Sequence, residues 1–298
     1  MAVMRITLGH LYPDIMATYG DRGNVETVLR RCEWRDIEVK VTELRIGDRV
    51  SADELDLILI GSGGESQQRL IMSDLYKVKG AGIRDAVARG AALLAVGGGY
   101  ELLGRFCQPE QGAELPGAGV FDAWTIRETA TLGGGYGTIS AARADRAIGE
   151  LVVRWGGRLL VGFENHSGGI YLGQGATPLG QVVVGHGNNG DGTEGVISGS
   201  AVGTNLRGPC LPKNPQLADF LITAALRRRF GEAHLVPLAD DLEHAARDAA
   251  LQRARQSHRT SRPILARPAL HRPVRTVRPA GLTGARSPQQ RIRPSAGR

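Results

Sequence analysis

Five segments of this 298-residue chain are denser in Gly, Asn, Asp and His than a plain scaffold needs. In residues 91–100 an apolar run ends in Gly97-Gly98-Gly99. A strand-to-helix turn flanked by small residues has the geometry that lifts a Ser or Cys nucleophile over a sheet edge. The centre of this turn is Gly97, which carries no nucleophile; read alone, it suits a phosphate cradle or a ligand-free tight turn equally well. Gly61-Ser62-Gly63-Gly64-Glu65 also follows an apolar run. Its amides at Gly63 and Gly64, with that of Gly98, are candidates to face an anion or a developing oxyanion. Asn165 and His166 (residues 162–169) and His186 and Asn188 (Gly185-His186-Gly187-Asn188-Asn189) are candidate ligands, bases, site walls or structural turn residues. No acid or Cys partners stand at metal-ligand spacing from these histidines, so no metal is expected. The remaining two segments are the polar stretch Leu11-Tyr12-Pro13-Asp14 to Tyr19-Gly20-Asp21-Arg22-Gly23-Asn24, and the loop Gly203-Thr204-Asn205-Leu206-Arg207-Gly208-Pro209. The first of these follows a strand candidate, at the end of a parallel sheet where open α/β folds bind ligands.

Short apolar runs alternate with longer amphipathic ones, which predicts an α/β fold with a mostly parallel sheet flanked by helices. Strands are expected at 5–8, 37–44, 55–60 and 91–96, and helices at 25–32, from the Gly61 turn to about residue 89, and at 100–106. Residues 147–155, 158–163 and 180–184 read as the far half of the same sheet with an antiparallel extension, and 215–230 and 239–253 as closing helices.

The net charge of +7 suggests polyanion binding only until it is divided. Residues 256–298 hold ten Arg and no Lys, Asp or Glu, which leaves −3 on the preceding residues. That segment is expected to be a disordered Arg/Pro-rich tail beyond a single domain at 1–255, because it has little apolar surface to offset ordering entropy. Three cysteines make no disulfide framework, and the first residues lack an apolar signal-peptide core. The expected location is the cytoplasm.

Taken together, Leu11-Tyr12-Pro13-Asp14, Tyr19-Gly20-Asp21-Arg22-Gly23-Asn24, residues 162–166 with Gly168, residues 185–189 with Gly192-Thr193-Glu194-Gly195, and Gly208-Pro209 with Leu211-Pro212-Lys213-Asn214-Pro215 resemble the CobB/CobQ-like class I glutamine amidotransferases in order and spacing. Within that group the chain is most similar to the GatD-type subunit of lipid II isoglutaminyl synthase, over about residues 4–235. The resemblance implies a flavodoxin-like class I amidotransferase fold with no cofactor of its own. It also implies glutamine hydrolysis whose ammonia passes to a MurT-type Mur ligase partner. With ATP and Mg2+ on its own subunit, that partner amidates the D-glutamate of the lipid II stem to D-isoglutamine.

The same resemblance exposes departures. The family's Cys-Gly-Gly-Tyr-Gln corresponds to Gly97-Gly98-Gly99-Tyr100-Glu101, its Leu-His-Gly-Pro to Leu206-Arg207-Gly208-Pro209, and its Gly-Gly-Gly-Gln-Asp to Gly61-Ser62-Gly63-Gly64-Glu65. Gly97 thus stands at the nucleophile position and Arg207 at that of the histidine. An arginine stays protonated at working pH and does not serve as a base. Glutaminase deficiency by the covalent route follows, with the chain serving as a scaffold for its ligase. Arg207 beside Gly97 is expected to leave a cationic pocket for an anion, such as glutamine or another small carboxylate. Two alternatives remain open here: an active glutaminase with Cys210 as displaced nucleophile, and an adaptor acting on nucleic acid or membrane through the basic tail. Cys107 is expected two turns down the helix after the elbow, and Cys32 inside the first helix.

Overall fold

The computed structural model describes residues 4–109, 112–127, 129–132, 137–140 and 146–260. Its central sheet has six strands. β1 (Met4–Leu11), β2 (Ile37–Leu44), β3 (Leu57–Ile60), β4 (Ala92–Val96) and Ala201–Thr204 run parallel, and Val196–Ser198 adds an antiparallel edge. From one edge to the other the order is Val196–Ser198, Ala201–Thr204, β4, β3, β1, β2. Successive strand side chains point to opposite faces, so the near-continuous apolar runs serve two cores. Leu57 and Leu59 of β3 join one core with Val25 and Val28 of α1 (Arg22–Glu33) and Leu217 and Leu221 of α5 (Pro215–Phe230). Ile58 and Ile60 join the other, with Ile71 of α2 (Glu65–Asp74), Ile83 of α3 (Gly80–Ala88), and Leu102 and Leu103 of α4 (Gly98–Leu103).

Between α2 and α3 the helix widens into a π-turn, Leu75–Lys79. The fully buried Lys79 ammonium there meets Asp74 at 2.5 Å and lies 4.8 Å over the Tyr12 ring, while the Tyr12 hydroxyl donates to Asp74 at 2.7 Å. The Leu-Tyr-Pro-Asp motif therefore anchors this irregular turn.

Among the described residues, the strands between 106 and 194 do not extend the central sheet. Ala147–Trp155 and Arg158–His166 form a hairpin closed by Gly156-Gly157, both at positive φ, within a separate four-stranded antiparallel sheet that includes Gly180–Val184. Ala123–Ile126, Gly169–Leu172, Phe106–Gln108 and Leu115–Pro116 form a further four-stranded sheet, mixed because Phe106–Gln108 runs parallel to Ala123–Ile126. Cys107 accordingly lies on a strand: α4 ends at Leu103, and extended backbone at Gly104 starts the pairing with Ala123–Ile126. A last helix, α6 (Asp241–Thr260), packs Ala250 and Ala254 on Val152 and Val161 and continues through residues 256–260, where the tail is expected to start. The rest of that tail lies outside the described residues. Among the described residues no helix is long and apolar enough to cross a membrane.

Asn214 joins the two halves at the start of α5. Its side chain accepts from Val161 N at 2.9 Å and donates to Val161 O at 2.8 Å and Cys210 O at 2.7 Å, all buried. Removing it orphans two backbone groups of a buried strand, so Asn214→Ala is expected to cost about 1–3 kcal/mol, read as a lower urea midpoint at unchanged slope.

Candidate active site

The elbow sits between β4 and α4. Gly97 has φ +52° and ψ −114°, donates its N–H to Thr204 O at 2.8 Å, and accepts from Glu101 N at 2.9 Å. A side chain on that backbone is strained whatever its size. Space is the second constraint: a Cβ on Gly97 would stand 2.3 Å from Ser62 Oγ and 2.5 Å from both Cζ and Nη1 of Arg207. The guanidinium thus fills the volume that a side chain at the elbow would use. At Gly98 a Cβ would meet Gly63 O at 2.2 Å, so the two glycine loops pack backbone to backbone.

Arg207 is brought there by a two-way bridge to Phe163: its N–H donates to Phe163 O at 2.8 Å, and Phe163 N returns the bond at 3.4 Å. Nη1 donates to Ser62 Oγ at 2.8 Å, and the cation lies 5.1 Å from the Tyr19 ring centroid. The side chain is buried, and among the described residues Nε has no hydrogen-bond partner. Burial pulls its pKa below the usual arginine value, against the carboxylates of Glu101 and Asp21 and the Tyr19 phenol. Asp21 fixes the loop beneath by accepting from Ser62 N at 2.9 Å through Oδ2, and burial raises its own pKa. Behind the elbow Glu101 is buried, accepts from Gln68 Nε2 at 2.8 Å, and pairs with Arg127. Burial alone would raise the Glu101 pKa; the Arg127 charge and the Gln68 bond outweigh it and hold the carboxyl below its ordinary range.

Gly97, Gly98, Gly63 and Arg207 are therefore brought together, and Gly64 caps α2 alongside them. The cationic group is present, and it fills the volume that a side chain on Gly97 would take. Asn165 is one ring away, donating to Tyr19 OH at 3.0 Å. The histidines gather elsewhere, on Glu164. His186 contacts its Oε1 through Nδ1 at 2.8 Å, and His166 Nε2 lies 3.5 Å from its Oε2. Burial would raise the Glu164 pKa, but the bonds and charges of both histidines lower it on balance. Asn188 is structural: it accepts from Gly195 N and donates to Gly195 O, both at 2.9 Å, closing the loop between the strands. Asn24 is structural too, accepting from Leu211 N at 3.0 Å, whereas Asp14 and Arg22 make exposed pairs with Arg45 and Glu26. Sequence reasoning missed Gln68, Arg127 and Glu164. Glu164 sits inside a flagged motif; nothing local marks the other two.

The CobB/CobQ-like glutamine amidotransferase domain matches residues 7–215. This chain belongs to that family. It is 33% identical over 228 residues, 75% of its length and 86% of the relative's, to the lipid II isoglutaminyl synthase (glutamine-hydrolyzing) subunit GatD of Staphylococcus aureus (strain N315). Against the GatD subunit of Streptococcus pneumoniae (strain ATCC BAA-255 / R6), identity is 30% over 241 residues, covering 80% of this chain and 87% of that one. In this CobB/CobQ-like member the turn Gly97-Gly98-Gly99 carries neither thiol nor hydroxyl, and the Ser62 hydroxyl beside it accepts from Arg207 at 2.8 Å. Its cysteines, Cys32, Cys107 and Cys210, are all buried, and burial pushes each thiol up to about 12. Cys210 Sγ points to Asn24 Oδ1 at 3.7 Å. That burial disfavours the thiolate, the form in which a cysteine acts as a nucleophile.

Proposed function

We propose that this chain is the amidotransferase-type subunit of a lipid II isoglutaminyl synthase, retaining the complex but not the covalent glutaminase step. The observation that carries the reading is the Arg207 guanidinium lying within 2.5 Å of where a side chain on Gly97 would begin. A cysteine glutaminase needs a thiolate, a base for its proton, and oxyanion donors. Here only the glycine-loop amides remain, and the groups packed against the elbow are the Ser62 hydroxyl and the Arg207 guanidinium, a cation where a base is needed. The relatives' description as a subunit of lipid II isoglutaminyl synthase supports the pathway and a partner subunit; in this reading that partner is a MurT-type Mur ligase, which carries the ATP and Mg2+. Peptidoglycan-precursor amidation in the cytoplasm is the setting.

The test is ammonia release from glutamine by the purified chain, alone and co-purified with its ligase. No release is expected in either case, while the complex amidates D-glutamate of lipid II when supplied with ammonium salt. Glutamine-dependent amidation by the natural chain would sink the reading. Treatment of the folded protein with a thiol-alkylating glutamine analogue is expected to leave Cys32, Cys107 and Cys210 unmodified by mass spectrometry, with labelling only after denaturation. Stoichiometric labelling of Cys210 in the folded chain would restore the displaced-nucleophile alternative.

A further inference from the structure

β2 is the outer strand of the central sheet: it pairs with β1 along all of Ile37–Leu44, and among the described residues no strand pairs with its other edge. A long bare edge presents unpaired N–H and C=O groups, and proteins usually blunt such edges with short length or unopposed charge. Here the charges are patterned. In Ile-Glu-Val-Lys-Val, an antiparallel second copy centred with Val39 on Val39 brings Glu38 opposite Lys40 and Ile37 opposite Val41. Glu38 and Lys40 are exposed, whereas Val39, Val41 and Leu29 of α1 are half-buried at the margin of the core. Beside the strand runs a groove of about 900 Å³ with Leu29, Ile37 and Val39 on its apolar part and Arg30, Glu33 and Lys40 at its rim.

We propose that the chain self-associates through β2 about a two-fold axis, joining the two central sheets into one. The interface is isologous, so each complementary contact occurs twice. Opposite charges directly across an antiparallel pair stabilise it and like charges destabilise it. The Glu38–Lys40 pattern therefore favours this one register, and the apolar side chains beside it lose water. The elbow on β4 lies three strands inward and stays outside the interface. This inference is independent of the glutaminase reading.

The experiment is light scattering with size-exclusion chromatography on the full-length chain over a concentration series. The wild type is expected to be a dimer. Lys40→Glu and Glu38→Lys each place like charges opposite one another, so each is expected to weaken self-association by about tenfold or more. Glu38→Lys also loses the pair with Arg5, but that pair is exposed and adds little to folding; circular dichroism checks it. An equimolar mixture of the two variants restores complementarity and is expected to recover the dimer. A wild type monomeric at every concentration overturns the proposal. So does a dimer indifferent to either variant, or a mixture that stays monomeric.

Discussion

Gly97→Cys alone is expected to yield a less stable protein that still releases no ammonia from glutamine. Two costs act together. The backbone at φ +52° is unfavourable for any residue with a side chain, at about 1–3 kcal/mol. The new Cβ also falls 2.5 Å from the Arg207 guanidinium, so a buried cation bonded to Ser62 at 2.8 Å must move. Overpacking of that kind adds about 1–3 kcal/mol. Arg207→His in the same chain withdraws the guanidinium and frees the Ser62 hydroxyl, 2.3 Å from the new Cβ, to turn away, so the backbone cost and a smaller contact with Ser62 remain. It also introduces a side chain able to take the thiol proton. The double variant is therefore expected to melt above Gly97→Cys and to gain ammonia release, whereas Gly97→Ala/Arg207→His gains stability over Gly97→Ala but no activity. Thermal melts and an ammonia assay on the four proteins check both halves. A Gly97→Cys protein as stable as wild type would show that Arg207 does not occupy the elbow.

Local patterns made much of the fold legible. Residues 37–44, 147–155 and 180–184 read as strands from alternation or short apolar runs, and they fold over those bounds. Pro215 at the first turn and Gly231 just past the last fix α5 as read. What sequence did not show is which sheet a strand enters, because pairing partners such as Phe106 and Trp124 are set by tertiary packing and not by neighbours in the chain. The candidate site divides the same way. Gly97 and Arg207 stand out as residue types, yet their meaning depends on a contact across 110 positions, which no local pattern carries. Arg127 carries no local signal, and its partner Glu101 lies 26 residues away. A charged residue explained only by a distant buried partner is invisible until the chain is folded.

That buried pair sets the other large expectation: Arg127→Met is expected to cost about 3–5 kcal/mol. Glu101 is 5% exposed, and removing its paired cation leaves a carboxylate hydrogen-bonded to Gln68, with the unbonded Arg207 charge as its remaining cationic influence. Glu101→Gln removes the charge and keeps a hydrogen-bonding side chain, while Arg127 retains Glu65 at 3.2 Å and Gln68 at 2.8 Å. Its cost is expected near about 1 kcal/mol. The double variant Glu101→Gln/Arg127→Met buries no unpaired charge, so it is expected to be more stable than Arg127→Met, although it carries one more substitution. pH separates this account from a simple loss of packing. In the wild type the folded Glu101 pKa lies below its unfolded value of 4.5, so its stabilisation is complete above that value and fades as acid protonates the folded carboxyl. Without Arg127 burial dominates, and the folded pKa moves above the unfolded one. The ionised carboxylate then destabilises the fold at neutral pH, and Arg127→Met is expected to recover stability as pH falls from 7 toward 5. Denaturant melts at several pH values read the sign directly. A difference between Arg127→Met and wild type that is constant across that range would mean the arginine contributes volume and not charge.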